Sequence, residues 1–241
     1  VVNPIAGMGG RVGLKGTDGK AAEAAAQGAV PRAPDRAVAA LEALAAADPD
    51  VRILAAGGIM GADEARAAGL DPEVVVDPVG TRGLDPTDAA ALAEATSAGD
   101  TRAAVEAFLD RDVDLVLFVG GDGTAVDVVE TLDDRDADTP ILGVPAGVKV
   151  YSAVFAVDPR AAGHVAATFD RTEIAEVNDI DEDSYREGEV RSELRGMAAV
   201  PVAEERQAGK QLAGGSVAGL ADGLAAEARA APEVTYVFGP G

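Results

Sequence analysis

An apolar stretch that runs directly into a cluster of glycines constrains the fold of this chain more than any other feature. Residues 113–119 (VDLVLFV) have the length and the β-branched content of a buried strand. Residues 120–124 read GGDGT, and a helical pattern of apolar residues follows as far as Leu132. A strand, a glycine turn and a helix in direct succession are typical of α/β proteins, which bind ligands at the carboxyl ends of their strands.

The same alternation extends over the chain up to residue 170. The opening residues 1–5 (VVNPI) are interpreted as the end of a strand, and residues 6–20 as a glycine-rich loop. Asp100 is expected to cap the third of the predicted helices. Apolar runs predict strands over 51–55, 74–76 and 141–144. Helical spacing predicts helices over 35–47, 62–68, 100–111, 124–132 and, with a break at 158–159, 151–169.

This pattern predicts an α/β fold, with a Rossmann-like, mostly parallel sheet that carries helices on both faces. After Asp170 the pattern changes to strands over 173–177 and 190–202, a helix over 217–230 and a strand over 234–238. We therefore predict an α/β domain over 1–170. Residues 171–241 are predicted to form part of a smaller β-rich domain, truncated after its returning helix and strand.

The charge of the chain excludes several classes of partner and site. It carries 20 basic and 42 acidic side chains, a formal net charge of −22. Nucleic acid is an unfavourable partner, because its binding needs Lys and Arg to neutralise phosphates. The absence of cysteine and the single histidine, His164, exclude a disulfide framework, thiol chemistry and a His-rich metal centre.

Composition also bears on the surroundings of the protein. No apolar run approaches the roughly 18 residues of a membrane span, so we expect a cytoplasmic protein without a membrane partner. Only four residues are lysines, whereas short carboxylates are abundant. A surface dense in carboxylates repels itself in dilute solution, and molar salt screens that repulsion. The composition is therefore typical of a halophilic protein.

Two common nucleotide-binding motifs are absent. Gly7 and Gly9 fit the start of the dinucleotide fingerprint, but Val12 stands where its third glycine is required. The Gly-Lys pairs that end in Lys20 and Lys210 lack the earlier glycine of a Walker A loop. The segment 120–124 is thus the best candidate for a ligand site.

Each residue type in GGDGT has a use beside a phosphate group. The glycines permit positive φ and leave no Cβ between the backbone amides and an anion. A helix beginning at Thr124 would direct free N–H groups and a partial positive charge toward that anion. Asp122 would supply a carboxylate, either as general base for an attacking hydroxyl or as a partner for Mg²⁺. A tight turn closed by an Asx bend is the alternative interpretation.

The GGDGT segment resembles the signature shared by NAD kinases, diacylglycerol kinases and, with a variation, phosphofructokinases. Three longer stretches narrow the resemblance: 3–19 (NPIAGMGGRVGLKGTDG), 143–152 (GVPAGVKVYS) and 179–188 (DIDEDSYREG). They are similar to the archaeal and bacterial ATP-NAD kinase-like family, part of which is linked to acetoin catabolism. The acidic composition resembles that of haloarchaeal proteins, so we expect a haloarchaeal member of this family.

The resemblance implies a kinase, a transferase that moves a phosphoryl group from ATP or polyphosphate to the adenosine 2′-hydroxyl of NAD, which gives NADP. Asp122 would act on that hydroxyl, and Mg²⁺ or another divalent cation would assist. Asn178 and Asp179 fall where the family carries an Asn-Glu pair that contacts NAD. The remaining implied nucleotide contacts are Asn3, Gly9, Gly10, Gly120, Gly121, Gly123 and Thr124.

Three further polar residues are candidates by position. Lys15 and Asp18 lie in the first glycine-rich loop, where they could clamp a phosphate and a ribose or metal. Lys149 follows a strand exit and could reach a nucleotide. Solvated loops are the alternative interpretation of all three. The ligands of a metal ion are not identified by the sequence.

Two other functions remain to be compared with the kinase. A non-catalytic nucleotide-binding or metabolite-sensing protein would have the same fold and bind NAD or ATP without transferring phosphate. A lipid kinase would share the signature but needs an amphipathic or basic membrane-facing segment, which the sequence lacks. The expected partners are therefore a small-molecule nucleotide and, in a homo-oligomer, further copies of the chain.

Overall fold

Strands and helices alternate along the chain in a computed structural model, which describes residues 1–9, 21–147, 150–180, 192–203 and 206. The strands are Leu54–Ala56 (β1), Glu73–Val76 (β2), Val116–Gly120 (β3), Ile141–Pro145 (β4), Thr172–Ile180 (β5) and Ser192–Pro201 (β6). The helices are Ala21–Ala26 (α1), Ala33–Ala47 (α2), Ala62–Ala67 (α3), Ala89–Ala95 (α4), Ala98–Leu109 (α5), Asp122–Asp134 (α6) and Pro159–Thr168 (α7). No helix within these ranges is long and apolar enough to cross a bilayer.

The first residues of the chain lie between two parallel strand pairs. Strand β1 pairs with β2, and β3 pairs with β4, both in parallel. Val2 forms a parallel bridge with Val119, and the Asn3 amide donates to the Val119 carbonyl at 3.0 Å. On its other side, the Val2 amide donates to the Met60 carbonyl at 3.0 Å. Residues 1–3 therefore connect β3 to the segment that follows β1.

Side chains of β3 alternate between two apolar layers, which confirms the Rossmann-like arrangement with helices on both faces. Val116 and Phe118 are buried in the cluster that contains the inner faces of α5 and α6. Leu117 and Val119 pack into the cluster formed with α2 and α7. Successive side chains of a strand point to opposite faces, so a short apolar run with helices on both sides is buried throughout.

The antiparallel pair β5–β6 covers the outer side of α6. Val177 and Val200 are fully buried and share the apolar cluster of Val129 on that helix. Gly196 of β6 lies against the same valine, and a Cβ there would come within 3.1 Å of its methyl groups. The hairpin and the α/β layers belong to one compact unit, Val1–Lys210. The division at residue 170 stays a prediction, and the helix and strand predicted over 217–230 and 234–238 lie outside the described residues.

Helices α5 and α7 begin at other residues than expected. Helix α5 begins after Ser97, and Asp100 lies inside its first turn. The Asp100 carboxylate accepts from the Ser97 amide at 2.9 Å and from its hydroxyl at 2.7 Å, so Asp100 supports the cap instead of forming it. The helix predicted over 151–169 is also shorter. It begins at Pro159, because Asp158 caps it by accepting from the Ala161 amide at 2.9 Å.

The strand predicted over 51–55 begins later, at Leu54 in β1. Helices α1 and α4 were not predicted, since each is a short, alanine-rich segment with little apolar periodicity. Alanine-rich sequence favours a helix through its low entropic cost, but it does not show which face is buried. The elements with Val, Leu and Phe at regular spacing were therefore the ones that the sequence predicted best.

A glycine sets the close approach of α2 and α7. A Cβ on Gly163 would lie 2.8 Å from the Leu44 amide nitrogen and 2.9 Å from the Ala43 Cβ, and it would overlap the Ala40 carbonyl. The Ala40 carbonyl and the Leu44 amide are backbone atoms, and the Ala43 Cβ is bonded directly to the backbone, so none of them can move without shifting α2 as a whole. The absence of a side chain at 163 therefore allows the two helices to pack against each other and, together, against β4.

We predict opposite effects from two Gly→Ala substitutions within helices. Gly163→Ala should lower the free energy of unfolding by about 1–3 kcal/mol, because the added methyl overpacks the α2–α7 contact. Gly99→Ala is the matched control. It should raise stability by about 0.5–1 kcal/mol, since among the described residues its Cβ meets only the Ser97 hydroxyl, at 3.4 Å on the exposed side of α5. Denaturant unfolding in molar salt measures both. Equal effects of the two variants would contradict the proposed role of Gly163.

Candidate active site

The GGDGT segment joins the end of β3 to the start of α6. Gly120 is the last residue of β3, Gly121 is extended with φ −120° and ψ −165°, and Asp122 is the first residue of the helix. Two expectations are thereby corrected. The helix begins at Asp122 instead of Thr124, and none of the three glycines adopts positive φ. Gly121 connects the strand to the helix in an extended conformation, which any residue can adopt. The glycines are therefore needed because they lack a side chain, and not because they permit positive φ.

Gly120 and Gly121 differ in what surrounds them. A Cβ on Gly120 would lie 2.7 Å from the Thr124 Cγ2, because the Thr124 side chain folds back over the strand end. A Cβ on Gly121 would meet no heavy atom of the described residues within 4 Å. No residue in the described part of the chain fills the space beside Gly121. The first backbone amides of α6, which have no acceptor within the helix, begin next to it.

Thr124 connects the GGDGT segment to the start of the chain. Its side chain is buried, and its Oγ1 accepts from the Asn3 Nδ2 at 3.1 Å. The Asn3 backbone is in turn held by Val119 of β3. Asn3 and Thr124 thus come together at the carboxyl end of β3, where the first loop leaves the sheet. Gly9 is a buried residue of that loop.

The Asp122 carboxylate is held unequally at its two oxygens. Oδ1 accepts from the Ser152 amide at 2.8 Å, from the Ser152 hydroxyl at 2.7 Å and from the Tyr151 amide at 3.0 Å. Within the described ranges, Oδ2 shares only the Tyr151 amide, also at 3.0 Å. A carboxylate oxygen can accept two hydrogen bonds, so Oδ2 keeps capacity for a further donor.

The surroundings make Asp122 a stronger base than an exposed aspartate. Partial burial raises its pKa, because the charged form loses hydration. The hydrogen bonds from Ser152 and Tyr151 oppose this rise, and the negative charge of Asp179 adds to it. The net direction is upward, which suits a group that accepts a proton during a reaction.

The backbone of Asn178 contacts the Ser152 hydroxyl, which also donates to Asp122. The Ser152 Oγ is 2.8 Å from the Asn178 carbonyl oxygen, and it accepts from the Asn178 amide at 3.0 Å. Asp179 follows on β5 and is close enough to influence the charge of Asp122. The Asn178 side chain itself is directed to Glu176, whose carboxylate accepts from Nδ2 at 3.4 Å. The structure therefore brings α6, the segment after β4 and strand β5 together around one carboxylate.

Not every candidate residue falls within the described part of the chain. Those brought together at the carboxyl end of β3 are Asn3, Gly120, Gly121, Asp122, Gly123, Thr124, Asn178 and Asp179. Those outside the described residues are Gly10, Lys15, Asp18 and Lys149. Their roles stay predictions.

Sequence reasoning missed two residues of this region. Ser152 was part of a quoted family stretch, but a single serine carries no spacing signal that links it to Asp122, thirty positions earlier. Arg36 was missed for the same reason: its Nη1 donates to the Pro145 carbonyl at 2.7 Å. Pro145 is the last residue of β4 and pairs with Gly120, the last residue of β3. The Arg36 guanidinium therefore lies at the carboxyl end of β4, next to the GGDGT segment. Burial, and then the positive charge of Arg32, lower the pKa of Arg36.

The described residues contain no group of three or more side chains suited to hold a metal ion. They therefore do not fit a resident cation held by protein ligands alone. Mg²⁺ in nucleotide sites commonly has one or two carboxylates, with the remaining ligands coming from phosphates and water. A divalent cation held in this way would take most of its ligands from the phosphates of a nucleotide and from water.

A large cavity of about 550 Å³ lies at the opposite end of the strands. It is lined by the residues that precede β1 and β3, including Ile53, Val113 and Leu115, and by Val1. Its lining does not include Gly120, Asp122 or Ser152. The cavity and the polar groups that could act on a substrate therefore lie at opposite ends of the strands. The polar groups are at the carboxyl edge of the sheet, where α/β proteins bind their ligands.

A family model described as the ATP-NAD kinase N-terminal domain matches residues 1–174 of the chain. The chain belongs to the ATP-NAD kinase family. The match covers the first loop, GGDGT and Ser152, and it stops shortly before Asn178 and Asp179. No curated protein and no solved structure matches the chain. Membership of the ATP-NAD kinase family confirms the resemblance and supports kinase-type nucleotide chemistry with ATP, NAD and a divalent cation.

The two neighbouring glycines of this ATP-NAD kinase family member should respond differently to a methyl group. We predict that Gly120→Ala lowers the free energy of unfolding by about 1–3 kcal/mol, because its Cβ displaces the Thr124 side chain. Gly121→Ala should change stability by no more than about 0.5 kcal/mol, since its Cβ would meet none of the described residues within 4 Å. Thermal and denaturant unfolding measure both variants. A large loss of stability in Gly121→Ala would show that the space is not open.

Proposed function

We propose that this member of the ATP-NAD kinase family transfers the terminal phosphoryl group of ATP or polyphosphate to the adenosine 2′-hydroxyl of NAD. The observation that carries the proposal is the Asp122 carboxylate. It lies at the first turn of α6, beside open space, with one oxygen held by three donors and the other by one. That arrangement supports a base that is fixed in orientation and still able to accept a proton.

The phosphates of the nucleotide would occupy the space beside Gly121. The first turn of α6 offers amides without intrahelical acceptors and the positive end of the helix dipole. Gly120, Gly123 and Thr124 would complete this cradle, with Asn3 held against Thr124 at its rim. The missing Cβ at Gly121 leaves room for a phosphate oxygen to approach the backbone.

In the proposed reaction, Oδ2 of Asp122 accepts the proton of the 2′-hydroxyl while the hydroxyl oxygen attacks the terminal phosphorus. The bond to the leaving phosphate oxygen breaks, and the proton remains on Asp122 until solvent removes it. Phosphoryl transfer needs little covalent help from the protein, so positioning and charge stabilisation are its main contributions. Mg²⁺ bound to the phosphates would neutralise their developing charge.

The remaining candidates would contact the two nucleotides. Asn178 and Asp179, next to Asp122 on β5, are proposed to bind the acceptor ribose. Gly9 and Gly10 are proposed to line the nucleotide site. Lys15, Asp18 and Lys149 are proposed to contact phosphate or ribose groups. The charge of −22 supports assays in molar salt, which would screen repulsion between carboxylates and anionic substrates.

We predict that Asp122→Asn lowers kcat for NADP formation by a factor of about 10²–10⁴, the usual contribution of a general base. Wild-type activity should fall as the pH drops through the pKa of Asp122, since protonation removes the base. Because burial raises that pKa, the fall should begin at higher pH than for an exposed aspartate. NADP formation from NAD with ATP or polyphosphate, assayed across pH in molar salt, measures both effects.

Asp133→Asn is the matched control, because it neutralises an exposed aspartate near the end of the same helix. It should retain wild-type turnover. Both variants should remain folded by circular dichroism. Wild-type turnover in Asp122→Asn would contradict the mechanism. Binding of NAD and ATP by the wild type without NADP formation would instead support the non-catalytic nucleotide-binding alternative.

A further inference from the structure

Ser152 lies where three elements meet, and its side chain is almost fully buried at 1% exposure. It follows β4, and it contacts Asp122 of α6 and Asn178 of β5. Its Oγ is 2.7 Å from the Asp122 Oδ1, 2.8 Å from the Asn178 carbonyl oxygen and 3.0 Å from the Asn178 amide nitrogen. A single hydroxyl thus joins the GGDGT helix to the strand that carries Asn178 and Asp179.

The proton count of this hydroxyl limits what it can do. A serine hydroxyl has one proton to donate and two lone pairs to accept with. The Asn178 amide donates to it, so its own proton is shared between two candidate acceptors, Asp122 Oδ1 and the Asn178 carbonyl. An ionised carboxylate is the stronger acceptor. The proton therefore points to Asp122 while that group is charged, and it is free to turn to Asn178 once Asp122 is protonated.

The same contacts make the two carboxylate oxygens unequal. Ser152 supplies two of the three donors on Oδ1, through its amide and its hydroxyl. These bonds fix the plane of the carboxylate and leave Oδ2 as the oxygen with spare capacity. Two other ionisable residues of the described chain lie near Asp122. The negative charge of Asp179 on β5 raises the pKa of Asp122, and the Tyr151 backbone donates to its carboxylate.

We propose that Ser152 is a positioning residue that locks Oδ1 of Asp122 to strand β5 and thereby reserves Oδ2 for the acceptor hydroxyl. This inference rests on the proposed function for its catalytic consequence. The Ser152 contacts also connect proton transfer at Asp122 to β5, the strand that carries Asn178 and Asp179. When Asp122 is protonated, the Ser152 hydroxyl is released and can donate to the Asn178 carbonyl. Ser152 does not touch the reacting atoms; it acts through Asp122.

We expect Ser152→Ala to lower kcat by a factor on the order of 10 to 100, since the base loses its fixed orientation, with little change in KM for the phosphoryl donor. The acid limb of the pH–rate profile should move upward by about one pH unit, because removal of a donor disfavours the charged carboxylate. Ser152→Thr retains the hydroxyl and should restore the wild-type acid limb.

Thr81→Val is the matched control for loss of a buried hydroxyl. Thr81 is fully buried, and its Oγ1 donates to backbone carbonyls, 3.2 Å from Gly57 and 2.9 Å from Pro78. Its removal should reduce stability without moving the acid limb. An acid limb that moves equally in Thr81→Val and Ser152→Ala would overturn the proposal, because a general loss of packing would then explain both.

A readout without turnover separates this inference from the proposed function. The carboxyl ¹³C resonance of Asp122 can be assigned by its absence from the spectrum of Asp122→Asn and titrated in the full chain without substrates. Its midpoint should rise in Ser152→Ala and stay at the wild-type value in Thr81→Val. If the wild type forms no NADP, the proposed function fails, while this titration still decides whether Ser152 controls Asp122.

Should Ser152→Ala fail to fold, Ser152→Cys provides the same comparison with a side chain of similar size and a weak donor. Its Asp122 midpoint should rise in the same direction by a smaller amount. A midpoint that stays unchanged in the folded Ala or Cys variant overturns the proposal.

Discussion

Burial of β3 on both faces is the constraint on which the rest of the structure depends. Its side chains enter two apolar layers in alternation, one with α5 and α6 and the other with α2 and α7. Such a strand cannot end in the interior, because its last backbone groups need partners. It ends at Gly120, where the chain turns through Gly121 into α6, and the exposed edge created there is the candidate site.

A glycine in the core makes room for an aromatic pair that supports the candidate site. Phe118 of β3 and Phe155 meet edge to face, with ring centroids 5.3 Å apart, above Gly143 of β4. A Cβ on Gly143 would lie 2.8 Å from the Phe118 ring, so the glycine makes room for the pair. This packing holds the segment 150–156 against the sheet. It thereby places Tyr151 and Ser152 next to the first turn of α6, where they bind Asp122.

Prediction from the sequence succeeded where local chemistry decides structure. Apolar runs indicated β3 and β4, and the glycines after β3 indicated a strand-to-helix turn, because these patterns express burial and backbone freedom directly. It was wrong about positive φ in GGDGT and about the starts of α5, α6 and α7. In the first case an extended Gly121 turns the chain, and in the others Ser97, Gly121 and Asp158 precede the helix. Caps depend on single hydrogen bonds, which periodicity does not reveal.

The sequence by itself determined the α/β class, the GGDGT segment and Asp122 as the candidate base, because each follows from the order and type of neighbouring residues. Only the tertiary structure decided which oxygen of Asp122 remains open and which residues hold the other. Ser152 contacts Asp122 across 30 positions of the chain, and Asn178 of β5 contacts Ser152 across 26. Contacts of that kind arise from the packing of α6 between the sheet and the β5–β6 hairpin, and local residue patterns carry no information about them.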